Sequence, residues 1–154
     1  MKLGIFTDSH YSSAELTCGC RYNNQSLEKI REAYRIFEGA GCDLVLCLGD
    51  LTDTEKTYEQ ECENLLACKA VIDASPIPTL CLMGNHDAFV FTEEAFTTFS
   101  AKSTSRIPYL RTTRRCCSSM PAILQAARII SREIPDGRIR FIRIRTSCGR
   151  RCRS

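Results

Sequence analysis

The stretch LVLCLGDLTD, Leu44 to Asp53, runs apolar from Leu44 to Leu48 and then stops on Gly49-Asp50 and Asp53. An uninterrupted apolar run of this length suits a strand of a parallel sheet with helices on both faces. The same pattern occurs at LGIFTDSH, Leu3 to His10, and at LCLMGNHD, Leu80 to Asp87. Each run ends in oxygen or imidazole donors, which a buried strand delivers rigidly to its C-terminal end.

Between these runs the apolar period changes to that of a helix. Ser26 is placed to cap a helix in which Leu27, Ile30, Tyr34 and Phe37 recur at the 3.6-residue spacing, and Gly39 and Gly41 end it. A second helix is expected over about Glu55 to Ile72, with Cys62, Leu65, Lys69 and Ile72 on one side. Pro76 and Pro78 lead into a strand over Thr79 to Met83, after strands over Lys2 to Thr7 and Asp43 to Leu48. Thr92 reads as the cap of a third helix, with Glu93 and Glu94 in its first turn and Phe91 and Phe96 spaced as a hydrophobic staple. Strands and helices in alternation imply right-handed crossovers and a parallel βαβαβ core. All three strand ends then share one sheet edge, where ligands bind in open α/β sheets.

With 154 residues, 44% hydrophobic and 25% charged, the chain is sized for one soluble domain. No apolar run approaches a membrane span, and Met1-Lys2 leads directly into a strand, so a cytoplasmic location with no membrane partner is expected. The 11 cysteines do not form a disulfide pattern, since Cys47 and Cys81 lie in apolar strands and Cys62 and Cys68 in a helical stretch. Cys18-Gly19-Cys20 lacks a second pair at zinc-site spacing.

Asp8-Ser9-His10, Gly49-Asp50 and Gly84-Asn85-His86-Asp87 together offer carboxylate, amide and imidazole donors. Carboxylate and carbonyl oxygens suit Mg or Mn, and imidazole shifts the preference toward Mn, Fe or Zn. A carboxylate such as Asp50 can bridge two such ions, which can hold a phosphoryl group and activate water for in-line attack. Each residue also has a plainer reading. Asp8 and Asp50 could be turn formers after strands, and His86 alone could be a structural hydrogen bonder.

In this order and at these strand ends, DSH, GDLTD and GNHD resemble the calcineurin-like metallophosphoesterase family, whose pattern is D-x-H, G-D-x-x-D and G-N-H-[DE]. The resemblance implies an α/β fold, the N-terminal half of the layered αββα metallophosphoesterase sandwich. It implies two divalent metal ions and hydrolysis of a phosphomonoester, phosphodiester or nucleotide diphosphate. It gives Asp8 and His10 to the first metal, Asp50 to both and Asn85 to the second, with His86 assisting the leaving-group oxygen. Asp53 and Asp87 would orient these ligands from behind. CRYNNQSLEKIREA, Cys20 to Ala33, is similar to a segment of manganese-dependent ADP-ribose/CDP-alcohol diphosphatase relatives. That favours a small phosphate-ester or nucleotide substrate, with Arg21 and Tyr22 as contacts for its phosphate or base; either could equally pack on the surface.

The resemblance covers about residues 1–100. The family takes further histidines from its second half, whereas this chain holds only two, His10 and His86. Residues 1–104 carry 8 Lys+Arg against 16 Asp+Glu, whereas residues 105–154 carry 13 arginines, no lysine and 2 acids. The vocabulary itself changes there, and two units are expected: a partial metallophosphoesterase domain over 1–104 and an Arg/Cys-rich segment over 105–154. A reading frame shifted from about residues 97–105 would produce such a change. SSMPAILQAARIISREI reads as a helix and DGRIRFIRIR alternates like a strand. Half a sandwich would also leave one apolar sheet face uncovered, a surface for self-association. The rival function is a non-catalytic truncated fragment or a basic-tailed binder of polyanions. The tail lacks a nucleic-acid docking motif and interleaved aromatics beyond Phe141, which argues against nucleic acid.

Overall fold

The computed structural model describes residues 1–14, 22–53, 57–100 and 140–143. Four strands form one parallel sheet in the order β3-β2-β1-β4, with β1 at Lys2–Phe6, β2 at Leu44–Cys47, β3 at Thr79–Cys81 and β4 at Arg140–Arg143. Helix α1, Ser26–Gly39, connects β1 to β2, and α2, Tyr58–Asp73, connects β2 to β3. Two short helices follow β3: α3 at Asn85–Val90 and α4 at Glu93–Ser100. Strand β4 lies in DGRIRFIRIR and pairs Arg140 to Arg143 with Lys2 to Ile5. The Cys18–Cys20 pair, Arg21, the helix expected over SSMPAILQAARIISREI and the later cysteines lie outside the described residues.

The core sits between the sheet and the helices. Phe6, Val45 and Cys47 face Ile30, Ala33, Tyr34 and Phe37 of α1 and Leu65, Cys68, Val71 and Ile72 of α2, all buried. A Cβ on Gly4 would fall 2.7 Å from the Phe37 ring, so the glycine is what lets that ring lie flat on β1. On β2 all four residues are buried, as the unbroken apolar run requires. Leu3, Leu44, Leu46, Leu80 and Leu82 are also buried. The open apolar sheet face expected from the sequence is therefore not found among the described residues; a parallel sheet is normally covered on both sides.

Two local expectations need correction. Ser26 is not a side-chain cap: a 3-10 turn at Asn23–Gln25 precedes α1, and the Ser26 hydroxyl instead donates to the Ser9 carbonyl at 2.5 Å. Helix α2 is capped by Thr57, whose hydroxyl accepts from the Gln60 N–H at 3.3 Å. Its buried face is Glu61, Asn64, Leu65, Cys68, Val71 and Ile72, so the expected stripe of Cys62, Leu65, Lys69 and Ile72 holds at Leu65 and Ile72, while Cys62 is only partly buried against the core and Lys69 pairs with Asp73. The Thr92 cap and the Phe91–Phe96 staple are present: Thr92 accepts from the Ala95 N–H at 3.2 Å, and both rings are buried.

Candidate metal centre

Beyond their strands, the chain ends of β1, β2 and β3 remain joined. The Asp8 N–H donates to the Gly49 carbonyl at 3.2 Å, His10 to Asp50 at 2.9 Å and Tyr11 to Leu51 at 2.8 Å. On the other side of β2, backbone touches backbone. A Cβ on Gly49 would lie 2.5 Å from the Gly84 nitrogen, and one on Gly84 would lie 2.2 Å from the Asp50 nitrogen. Only glycine at both positions allows this approach, and Gly49 also needs its φ of +104°.

Asp87 ties the second junction. Its buried carboxylate accepts from the N–H groups of Asp50 at 2.9 Å, Leu51 at 3.1 Å, Thr52 at 3.2 Å and Gly84 at 2.9 Å. The Gly84 bond satisfies one of the first free donors of α3, because Asp87 reaches back from the third helical position. Burial pushes the Asp87 carboxyl up to about 6, while the N–H groups of Gly84 and Thr52 act against that rise and nearby Asp50 adds to it.

Around this scaffold the expected donors converge. Oxygens of Asp8 and Asp50 and a ring nitrogen of His10 lie within 4.8 Å of one another, as do donor atoms of His10, Asp53 and His86. His10 Nε2 is 3.8 Å from Asp8 Oδ1 and 3.9 Å from Asp50 Oδ2, too far for hydrogen bonds and close enough to share an ion. The buried His10 Nδ1 has no hydrogen-bond partner. Asn85 faces the same carboxylate, with one amide atom 3.3 Å from Asp50 Oδ2 and the other 3.2 Å from the His86 nitrogen. With nitrogen toward Asp50 this is a hydrogen bond; with oxygen it is a meeting of two acceptors that a shared cation relieves. Mixed carboxylate, amide and imidazole donors, one of them orphaned, fit divalent ions such as Mn, Fe, Zn or Mg.

Sequence reasoning missed the backbone. Asp8, His10 and Asp50 have φ of 57°, 45° and 53°, and among the described residues no other non-glycine has positive φ. Asp and His are among the side chains that tolerate this region, but it still costs about 1–3 kcal/mol per residue and clusters at functional sites. Also missed was Asn23, buried, whose Nδ2 donates to Asp53 Oδ2 at 2.5 Å. Its signal lay in RYNNQSL, beside the two residues singled out. Asp53 Oδ1 is in turn 3.1 Å from His86 Nδ1, and the His10 and His86 rings meet in a T at 4.5 Å between centroids. Tyr22 is half exposed beside Asn23. Met83 is partly buried against the core just before Gly84 rather than in β3, which ends at Cys81.

No described helix is long and apolar enough to cross a membrane. No curated protein matches the chain in sequence. Among solved structures, the crystal structure of a dimetal phosphatase from Danio rerio matches with a TM-score of 0.57 at 22% identity, over 62% of this chain. The chain spans about 32% of that protein's length, and at this identity the match speaks for the fold. The family model for calcineurin-like phosphoesterases matches residues 1–140. That match takes in all three acidic strand ends and runs on into β4, and the chain belongs to the calcineurin-like phosphoesterase family.

Proposed function

We propose that the chain is a metal-dependent hydrolase of phosphate esters, holding two divalent ions through Asp8, His10, Asp50 and Asn85. The observation that carries this reading is the convergence of Asp8, His10 and Asp50 donors within 4.8 Å, each on a left-handed backbone. When bound, such ions neutralise phosphoryl charge and make water a better nucleophile. The protein's own contribution is rigidity and proton placement. Asp50 Oδ1 is held by the His86 N–H at 2.9 Å, which leaves Oδ2 for His10 and Asn85 to face. Asp53 beside His86 Nδ1 favours the proton on that nitrogen, and Asn23 holds Asp53. In the imidazolium form the ring carries a second proton on Nε2, and that is the proton His86 would give to a departing ester oxygen.

The similarity of Cys20 to Ala33 to diphosphatase relatives favours a nucleotide-type diphosphate or phosphodiester, and manganese as the ion. With two histidines in the chain, metal affinity should be weak, because even partners that only orient a ligand are worth 10–100-fold. Hydrolysis of bis-p-nitrophenyl phosphate across an Mn²⁺ titration tests the reading. Mn²⁺-dependent turnover abolished by Asp50→Asn supports it. Absence of turnover at every Mn²⁺ level, with Mn²⁺ binding unchanged by Asp50→Asn, overturns it.

A further inference from the structure

Phe89 is the most exposed large apolar side chain among the described residues, at 77%. Scattered surface hydrophobics are common and usually mean nothing. This one has a particular neighbour. Phe89 and His86 lie three residues apart on α3, so they share a helix face. Their rings stand in a T, with centroids 6.5 Å apart at 89°. His86 in turn meets His10 at 4.5 Å, and His10 belongs with Asp8 and Asp50. The row therefore runs from an exposed aromatic ring, through the histidine read as the leaving-group acid, to the acidic cluster. A T-shaped contact with one neighbour leaves ring surface of Phe89 open for stacking, and its exposure confirms that this surface is free. A leaving group whose oxygen meets His86 would have the Phe89 ring close by.

We propose that Phe89 is a specificity-determining residue of the site, a stacking platform that favours phosphate esters whose leaving group carries a flat aromatic ring. The inference rests on the phosphoesterase reading above and gives that reading a substrate class. Stacking against an exposed aromatic is sequence-tolerant and works through the π-face, so an aryl group and a nucleobase would serve alike. Alkyl and sugar leaving groups gain nothing from it.

The experiment measures binding, which needs no turnover. Phenylphosphonate and methylphosphonate are titrated into the Mn²⁺-supplemented full chain by calorimetry, and adenosine 5′-phosphate is compared with ribose 5-phosphate in the same way. The expected result is about a tenfold preference for the aromatic member of each pair, reflecting a stacking contribution of the usual size. Phe89→Ala and Phe89→Leu should remove the preference, Phe89→Tyr should keep it, and methylphosphonate binding should stay unchanged in all three. Because the side chain is exposed, unchanged methylphosphonate binding also shows that each variant is folded. Equal binding within both pairs, or a preference that survives Phe89→Ala, overturns the platform and leaves the phosphoesterase reading standing. Preference in the phenyl pair alone limits the platform to aryl esters; preference in the nucleotide pair alone limits it to nucleotides. Failure of all four ligands to bind overturns both readings.

Discussion

Replacing Gly84 by alanine isolates the role of loop contact in building the centre. Gly84 has φ −85° and ψ −176°, a conformation any residue adopts, so the added methyl introduces no backbone strain of its own. Its effect is purely steric. The new Cβ would lie 2.1 Å from Asp50 Oδ1, 2.2 Å from the Asp50 nitrogen and 2.8 Å from its carboxyl carbon, where ordinary contacts begin near 3.4 Å. The Asp50 side chain could swing aside, but its backbone nitrogen cannot, so the two loops must part by roughly 1 Å. Overpacking of this kind costs about 1–3 kcal/mol. Parting the loops also strains the 2.9 Å bonds from the Asp50 N–H to Asp87 and from the His86 N–H to Asp50, at about 1–3 kcal/mol for each buried group left unpaired. A total of at least about 3 kcal/mol is a large part of the stability of a typical domain. Urea unfolding followed by circular dichroism reads that loss, and Mn²⁺ titration of the surviving folded protein should show affinity down at least tenfold. Gly39→Ala is the control: no atom lies within 4 Å of its added Cβ, and the expected change is neutral or slightly stabilising. If Gly84→Ala melts within about 0.5 kcal/mol of the parent and binds Mn²⁺ as well, loop contact does not set the geometry.

Two further substitutions separate orientation from scaffold. Asp53→Asn keeps the shape but weakens the hold on His86 Nδ1, 3.1 Å away; turnover should fall 10–100-fold with stability changed by less than about 1 kcal/mol, read from steady-state kinetics beside urea melts. Asp87→Asn leaves one oxygen for the four N–H groups that its carboxylate accepts, so two donors face an NH₂ group. Relief of the buried charge offsets part of that loss, and a net destabilisation of about 2 kcal/mol is expected in the urea midpoint; a more stable variant would refute the tie described here.

The strand ends were legible because two independent patterns coincide there, an unbroken apolar run and a donor at its close. Nothing comparable announced α3. The helix starts at Asn85 because Asp87 folds back on Gly84, a contact between residues whose types alone do not compel it. The same limit applies to α2, where a stripe of Cys62, Leu65, Lys69 and Ile72 satisfies the helical period yet shares only Leu65 and Ile72 with the buried face. Tertiary packing chose the face that buries Cys68 against Leu51, with Cys68 Sγ 3.8 Å from the Leu51 carbonyl. Burial in turn raises the Cys68 thiol above its ordinary value, in keeping with an inert packing role. Left-handed backbone at Asp8, His10 and Asp50 was invisible for a different reason: these side chains permit positive φ without requiring it, whereas a glycine at the same place would have been a cue.

Strain of that kind persists only where neighbouring structure leaves no alternative, and here the restraints can be named. The β1 end is stitched to the β2 end by the Asp8, His10 and Tyr11 N–H groups, and the β2 end to the β3 end by Asp87 and two facing glycines. Every one of these contacts lies within residues 8–87, so the geometry of the centre is set before the arginine-rich sequence begins. A deficit in metal affinity would then come from the number of ligands the chain supplies, not from looseness in those it has. Added imidazole in solution separates the two causes: a rigid centre short of donors should regain Mn²⁺-dependent turnover as imidazole fills the open positions, whereas a loose one should gain nothing.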